Sequence, residues 1–357
     1  MPTEPTEPAD AALSNDPAAA PATVLITGGA GFIGSHLGRR LLAAGSRVVA
    51  IDNFDPFYDE ALKRANLAGL AETGGDRFRF EEADIVDADA MVRLAGEVRP
   101  DLVVHIAALA GVRPSIEAPA RYARVNVDGL VHVLDAARAA DCRRILFASS
   151  SSVYGNNEKV PFAETDDVNE PISPYAATKR AGELLCHAYA HLFGLRIAAL
   201  RFFTVFGPAQ RPDLAIMKFM RLVAAGEEIP MFGDGSTSRD YTFVEDIVDG
   251  VVAAGTWTAR DAAGDRPGDL AGGGCFRIFN LGGSSPISLA EMIDAIGRTV
   301  GRTPRIRPLP MQPGDVNRTW ADPTRSRDEL GFDPKTSFEA GLAAQWAWLQ
   351  ASGTLAG

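Results

Sequence analysis

The sequence predicts an α/β fold, a doubly wound and mainly parallel sheet of the Rossmann type with a smaller mixed α/β lobe at the C-terminal end. Three observations predict it. Short, continuous apolar runs are typical of parallel strands buried on both faces. Segments with helical spacing of apolar residues separate these runs. A glycine-rich turn lies between the first apolar run and the first helical segment, where doubly wound folds bind phosphate.

The predicted strands and helices alternate over the first two hundred residues. The first strand is 23–27, and the first helix is 32–44 with Gly45 as its stop. Further strands are predicted at 78–82, 102–106, 145–148, 197–201 and, directly after the first helix, 48–51. Further helices are predicted at 122–140 and 174–193. After about Phe203, shorter mixed elements with Pro and Gly between them predict the second lobe.

Composition limits the classes of partner and compartment. The chain has 357 residues, 46% of them hydrophobic, which is enough for a large core. A net charge of −11 without a basic stripe argues against nucleic acid as a partner. No apolar run is long enough to cross a membrane, and residues 1–21 lack the features of a signal peptide and are interpreted as a disordered tail. Three widely spaced cysteines without a CxxC motif indicate a reducing, cytoplasmic compartment.

The glycine turn predicts a dinucleotide site. Gly28 would allow the tight turn, Gly31 would let the backbone approach a pyrophosphate, and Gly34 would let the helix pack on the sheet. The intervening residues Phe32 and Ile33 open the helix, whose free N–H groups attract phosphate. A glycine turn without a ligand is the alternative.

The end of the second strand indicates which dinucleotide binds. Asp52 lies where a carboxylate can bind the adenosine ribose hydroxyls and repel a 2′-phosphate. Asn53 follows rather than an arginine, so NAD is favoured over NADP.

A second motif predicts proton transfer. Tyr175 and Lys179 are one helical turn apart, so the lysine ammonium would favour the tyrosine phenolate that serves as a base. Ser149 and the serines after it follow a strand at the edge where ligands bind. An ordinary surface contact is the alternative for the Tyr–Lys pair. His187 and His191 also share a helical face, but no third ligand is visible, so no metal site is expected.

Together these motifs resemble the extended short-chain dehydrogenase/reductase family and, more narrowly, its NAD-dependent nucleotide-sugar epimerases and dehydratases. The similarity runs from about residue 24 to residue 349 and includes segments 105–108, 111–115, 149–155, 200–213 and 232–241. The resemblance implies that Ser150, Tyr175 and Lys179 are catalytic. It also implies that Asp84, Ile85, Ala107, Ala108, Asn126 and Ser149 line the cofactor, and that Arg239 and Asp315 hold UDP.

The resemblance further implies the reaction. Relatives that dehydrate or decarboxylate usually carry an acidic residue after the catalytic Ser or Thr, where this chain has Ser151 and Ser152. Those serines and Thr204, where hexose epimerases usually have Asn, resemble the enzymes that act on glucuronate. A substrate carboxylate also requires a cation, for which Arg211 and Arg113 are the candidates. The expected activity is reversible C4 epimerisation of UDP-glucuronate to UDP-galacturonate through a 4-keto intermediate.

Three alternatives and a domain division complete the prediction. The same fold could serve a UDP-hexose 4-epimerase, a UDP-glucuronate decarboxylase or, in another class, a non-catalytic dinucleotide-binding scaffold. Residues 22–203 are expected to form the NAD-binding domain and 204–357 the UDP-sugar lobe, with about 240–282 returning to the first domain. The family resemblance implies a homodimer through helices 122–140 and 174–193.

Overall fold

A computed structural model describes residues 21–260, 264, 266–270, 272–310 and 317–353. The strands are β1 (Thr23–Thr27), β2 (Arg47–Asp52), β3 (Phe78–Glu82), β4 (Leu102–His105), β5 (Arg144–Ser150), β6 (Arg196–Phe202), β7 (Thr204–Phe206), β8 (Glu228–Phe232), β9 (Ser238–Phe243), β10 (Cys275–Leu281), β11 (Pro286–Ser288) and β12 (Arg305–Leu309). The helices are α1 (Phe32–Ala43), α2 (Glu60–Gly74), α3 (Ala88–Val98), α4 (Val112–Glu117), α5 (Pro119–Ala123), α6 (Gly129–Ala139), α7 (Pro174–Phe193), α8 (Ala215–Ala225), α9 (Val244–Ala259), α10 (Leu289–Val300), α11 (Thr324–Leu330) and α12 (Phe338–Ala351).

The central sheet has seven parallel strands in the order β10-β6-β5-β4-β1-β2-β3. The chain reverses its direction of travel across the sheet between β1 and β4, which are neighbours. Ligands of doubly wound sheets bind at the carboxyl edge beside such a reversal. The predicted Rossmann-type fold is therefore confirmed, and its topology points to the loops after β1 and β4.

Helices cover both faces of this sheet. One face packs against α1 and α9, with Leu37, Leu41 and Val248 in its core. The other face packs against α3, α6 and α7, with Leu94, Leu134 and Cys186 in its core. Because both faces are buried, the inner strands β1, β2, β4, β5 and β6 consist mainly of continuous apolar runs rather than alternating ones.

The C-terminal half adds a second, smaller unit. Strands β11, β9 and β7 form a three-stranded sheet, and β12 pairs with β8. Helices α8, α10 and α12 close a separate apolar core around Met220, Ile296 and Leu342. Helix α9 and strand β10 belong to the large layer instead, since β10 pairs with β6 along seven residues.

One predicted helix is interrupted. The segment 122–140 contains the end of α5, a π-helical turn at Arg124–Asp128 and then α6. π-Turns insert an extra residue into the backbone ladder and frequently occur at functional sites. Here the buried Asn126 lies in that turn. None of the described helices is both long enough and apolar enough to cross a bilayer.

Candidate active site

A cavity of about 370 Å³ opens at the carboxyl edge of the central sheet. The segments that follow six of its strands supply the walls, and α7 contributes Tyr175 and Lys179. Of the residues singled out from the sequence, the cavity is lined by Gly28, Gly31, Phe32, Ile33, Gly34, Asp52, Asn53, Asp84, Ile85, Ala107, Ala108, Ser149, Ser150, Tyr175, Lys179, Thr204 and Arg211. Fold topology alone thus brings together residues that lie up to 183 positions apart.

The glycine turn has the geometry of a phosphate cradle. Gly28 has a φ of +72°, and a Cβ there would lie 2.8 Å from the Ala107 nitrogen. Gly31 caps α1 without a side-chain hydrogen bond, so the first N–H groups of this helix face the cavity without a competing acceptor from the cap. A Cβ at Gly34 would lie 2.3 Å from the Gly28 carbonyl oxygen. The absence of a Cβ at Gly34 therefore lets the start of α1 pack against the turn that directly follows β1.

The far end of the cavity carries a buried ion pair. Asp52 closes β2, and its Oδ1 accepts hydrogen bonds from the Phe54 nitrogen and, at 3.1 Å, from the Lys63 ammonium. Both side chains of this ion pair are about 7% exposed. Asn53 donates to Asp84 at 3.1 Å and so ties the ends of β2 and β3 together. Because the Lys63 ammonium forms an ion pair with Asp52, it offsets part of the negative charge of the carboxylate. This weakens the repulsion between Asp52 and a 2′-phosphate.

Three groups meet at the other end of the cavity. Burial raises the pKa of the Tyr175 phenol, while the Ser150 hydroxyl and the Arg211 guanidinium lower it. Ser150 also accepts a hydrogen bond from the Ser152 nitrogen at 3.1 Å and begins the 3-10 turn Ser151–Tyr154. Arg211 lies over the Phe57 ring at 4.8 Å and makes a two-pronged ion pair with Asp213. The Tyr175 phenol, the Ser150 hydroxyl and the Arg211 guanidinium therefore lie together at this end of the cavity.

Lys179 lies beside the Tyr175 ring in the same cavity, and its expected effect on the phenol stays a prediction. Its ammonium donates to the Ala148 carbonyl at 2.7 Å and lies 6.0 Å from the centre of the Tyr175 ring. Burial lowers the pKa of Lys179 to about 8. The i, i+4 spacing did place both side chains in one cavity, but the cation that lowers the pKa of Tyr175 is Arg211.

A buried charge network lies beneath these groups. Glu183 of α7 accepts hydrogen bonds from Arg201 at 2.8 and 2.9 Å and from the Ser149 hydroxyl at 2.7 Å. Arg201 in turn lies 4.7 Å from the centre of the Tyr154 ring. Glu183 therefore fixes the residue directly before Ser150 and joins α7 to the ends of β5 and β6.

Several predicted site residues lie elsewhere. Asn126 is buried and does not line the cavity; its amide holds the backbone of Leu109, which does. Ser151 and Ser152 lie just behind Ser150, and the Ser152 Oγ accepts from the Ser150 hydroxyl at 3.1 Å. Arg113 lies 5.0 Å from the Phe232 ring. Arg239 donates to the Ser238 carbonyl and is not among the cavity residues, and Asp315 lies outside the described residues.

Four residues of the site and of the charge network beneath it were not predicted from the sequence. Lys63 and Tyr58 line the cavity but belong to no periodic pattern that would have identified them. Glu183 and Arg201 left a signal, since each is a charged residue within an otherwise buried helix face or strand. Buried charges are seldom found without a partner, so the two could have been paired.

Comparisons with known proteins agree with this geometry. The family model described as GDP-mannose 4,6 dehydratase matches residues 25–345. A probable UDP-glucuronate 4-epimerase of Rhizobium meliloti (strain 1021) is 40% identical over 328 residues, which cover 91% of this chain and 96% of that protein.

Solved structures give the same result. A UDP-glucuronic acid 4-epimerase from Bacillus cereus, in complex with UDP-glucuronic acid and NAD, has a TM-score of 0.81 and 33% identity, covering 92% of this chain and 99% of that one. A UDP-glucose 4-epimerase from Thermotoga maritima with UDP-glucose has a TM-score of 0.79 and 30% identity over the same shares. The resemblance to nucleotide-sugar epimerases is therefore confirmed.

Proposed function

Because the chain belongs to the GDP-mannose 4,6 dehydratase family, we propose that it is an NAD-dependent epimerase that interconverts UDP-glucuronate and UDP-galacturonate. One observation carries the proposal. Tyr175, Ser150, Thr204 and the cation Arg211 line the same cavity as the glycine turn. That set provides a base, hydroxyl donors and a positive charge beside a dinucleotide cradle. The similar proteins from Rhizobium meliloti and Bacillus cereus carry the corresponding name.

The cavity suits NAD. The absence of a Cβ at Gly28 lets the turn pack against the Ala107 backbone, and α1 begins with uncapped N–H groups that can hold a pyrophosphate. Asp52 Oδ2 is available for the adenosine ribose hydroxyls, and Ile85 and Asp84 would border the adenine. Ala107, Ala108 and Ser149 would line the rest of the cofactor, while Asn126 supports that wall from behind.

Tyr175 would act as the general base. NAD supplies the hydride acceptor and donor at C4, so oxidation, rotation of the sugar and reduction on its other face invert that carbon without net redox. Tyr175, as phenolate, takes the proton of the 4-hydroxyl and later returns it. The Ser150 hydroxyl donates to the developing carbonyl oxygen. The positive charge of Arg211, together with that of Lys179 on the cavity wall, favours the phenolate.

The remaining groups would restrain the substrate carboxylate. The 4-keto intermediate is a β-keto acid and loses CO₂ when its C5–C6 bond aligns with the carbonyl π-system. Thr204 and Arg211 line the cavity beside Tyr175, as does Ser150, whereas Ser151 and Ser152 would contribute indirectly, Ser152 through its hydrogen bonds to Ser150. Hydroxyl donors and one cation fix a carboxylate in a single orientation, which would prevent that alignment.

UDP would lie toward the smaller lobe. Arg239 is on β9, which pairs with β7 and so continues the wall that begins at Thr204. We assign Arg239, Asp315 and Arg113 to the UDP-sugar, and the lobe of residues 204–357, with returning segments near 240–282, to substrate binding. Arg113 contacts Phe232 of β8 across the opening between the two layers, which supports its placement there.

We also propose a cytoplasmic homodimer. Leu184 and Leu192 of α7 are 56% and 67% exposed, and Phe193 at its end is 40% exposed, so this helix carries apolar side chains that a partner would cover. Helices α5 and α6 pack beside α7, so segments 122–140 and 174–193 are adjacent and can form one dimer interface, as predicted from the sequence. All three cysteines are buried and unpaired, which fits a reducing compartment.

Product analysis tests the activity. The purified protein is incubated with UDP-glucuronate without added NAD, and the products are identified by NMR and mass. We expect UDP-galacturonate of unchanged mass, because the cofactor is retained and no carbon is lost. A Tyr175→Phe variant is the matched control and should lose activity by about 10²-fold or more, as expected for a general base.

The alternatives give different products. Decarboxylation would yield a lighter UDP-pentose, and a UDP-hexose epimerase would leave UDP-glucuronate unchanged while converting UDP-glucose. A non-catalytic scaffold would bind NAD and convert none of them. Equal turnover by the Tyr175→Phe variant would overturn the proposed mechanism.

A further inference from the structure

His36, a residue of α1, contacts a turn of the candidate active site. Its ring is 4% exposed and belongs to α1. Nδ1 lies 2.5 Å from Glu245 Oε1, and Nε2 lies 2.9 Å from the Pro208 carbonyl oxygen. Both partners are acceptors, because Glu245 is held ionised: its pKa is lowered, first by the His36 hydrogen bond. Both ring nitrogens are therefore engaged, and Nε2 must donate to Pro208 because a carbonyl oxygen can only accept.

The carbonyl bound by His36 belongs to the turn that carries Arg211. This turn, residues 207–211, follows β7 and contains Ala209 at a φ of +60°, which is unfavourable for a residue with a Cβ. Such conformations persist only where their surroundings fix them. Here Gln345 accepts from the Gly207 nitrogen at 3.0 Å and donates to Gln210 at 2.8 Å. His36 holds the same turn from α1, which packs on the central sheet.

We propose that His36 is a positioning residue, which fixes the 207–211 turn through the Pro208 carbonyl and thereby holds the Arg211 guanidinium in the cavity. The Phe32 ring lines the cavity and meets the His36 ring edge-on at 5.7 Å between centroids. His36 thus joins the wall of the cofactor cavity to the loop that presents the substrate cation. The role assigned to Arg211 rests on the proposed function.

Other charges around the ring support the same arrangement. Arg40 lies 3.5 Å from Glu245 Oε2 and also pairs with Asp249, so α1 and α9 are joined by several ion pairs. Arg40 and Asp249 are 40% and 52% exposed, whereas the His36 side chain is 4% exposed. Removing Arg40 therefore changes a solvated pair without touching Pro208, and Arg40→Ala is a suitable control.

Two variants of His36 separate its two contacts. In His36→Asn the amide occupies the Nδ1 position and keeps a contact to Glu245, but nothing donates to Pro208. In His36→Gln the amide nitrogen reaches the Nε2 position and keeps the Pro208 hydrogen bond. Binding of UDP-glucuronate and of UDP to the NAD-loaded protein is measured by calorimetry.

We expect His36→Asn to weaken UDP-glucuronate binding about tenfold, the effect of losing one well-placed buried hydrogen bond. Affinity for UDP should change less than about twofold, and His36→Gln should restore most of the loss. In an Arg211→Ala background, His36→Asn should add less than about twofold. Equal losses for UDP and UDP-glucuronate, or a full effect without Arg211, would overturn the proposal.

A structural measurement keeps this inference distinct from the proposed function. If the wild-type protein does not prefer UDP-glucuronate to UDP, the assignment of Arg211 to a carboxylate fails. Crystal structures of His36→Asn and His36→Gln then decide the positioning role alone. Ala209 should leave its positive φ in the former and keep it in the latter; a retained turn in His36→Asn refutes the inference.

Discussion

Replacing Glu183 with alanine should lower the free energy of unfolding by about 3–5 kcal/mol, because breaking a buried ion pair leaves the remaining charge unpaired. The carboxylate accepts four hydrogen bonds: two from Arg201, one from Ser149 and, at 3.1 Å, one from Arg180. The Arg201 side chain is 1% exposed, so water cannot replace the lost acceptor. Its Nη1 already has no hydrogen-bond partner among the described residues.

The structure places this substitution in the upper half of that range. Arg201 is held between the Tyr154 ring and the ends of β5 and β6, and has no room to move its charge to the surface. A surface pair gives the contrast. Glu228 and Arg305 are 47% and 67% exposed, so Glu228→Ala should cost less than about 1 kcal/mol.

Urea unfolding followed by tryptophan fluorescence measures these differences. The decisive variant is the double replacement Glu183→Met with Arg201→Met, which removes both charges and conserves volume. Because apolar substitutes for a buried pair are often neutral, the double variant should be more stable than Glu183→Ala. If the double variant is no more stable than Glu183→Ala, the unpaired charge is not the cause and the reasoning is refuted.

Three further predictions concern the site and the surface. Burial lowers the pKa of His105 to about 3, so between pH 6 and pH 4 the unfolded chain binds the extra proton. As the pH falls, the free energy of unfolding should therefore decrease more steeply in the wild type than in His105→Asn, by about 1.4 kcal/mol per pH unit. Urea unfolding at a series of pH values measures this, and an equal pH dependence in the two proteins would contradict it. Gly28→Ala should abolish NAD binding and cost more than the about 1–2 kcal/mol of a left-handed residue, because its Cβ meets Ala107. Gly301→Ala, at a φ of +79° in open space, controls for that backbone cost, and equal losses would exclude the clash. Leu192→Asp should convert a dimer to a monomer in sedimentation without loss of folding; an unchanged mass would exclude that surface.

Local patterns predicted most of the large layer correctly. Apolar runs identified β1, β2, β4, β5 and β6 of the central sheet, because a strand buried on both faces needs mainly apolar residues. The range predicted for α7 is the range observed, since Ser173 caps its start and Gly194 adopts the left-handed conformation at its end. The helix predicted over 122–140 contains a π-turn, whose extra residue leaves no trace in the apolar spacing.

Only part of the candidate site could be predicted from the sequence. The spacing of residues indicates which side chains share a helix face but not which groups they contact. Tyr175 and Lys179 do line one cavity, yet the ammonium donates to Ala148. Lys63 neutralises part of Asp52 from a separate helix, eleven positions further along the chain. No local rule links these two residues, since their contact depends on how α2 packs beside β2.

What the sequence by itself determined is the order of most strands and helices of the large layer, the glycine turn and the shared helix face of Tyr175 and Lys179. These depend on periods of two and 3.6 residues and on turn residues, all of which act over short stretches of chain. Only the tertiary structure decided that Arg211 shares a cavity with Tyr175, that Glu183 holds Ser149 and that His36 reaches Pro208. The last contact spans 172 positions, and hydrogen bonds between distant segments are fixed by packing of the whole domain rather than by local preference.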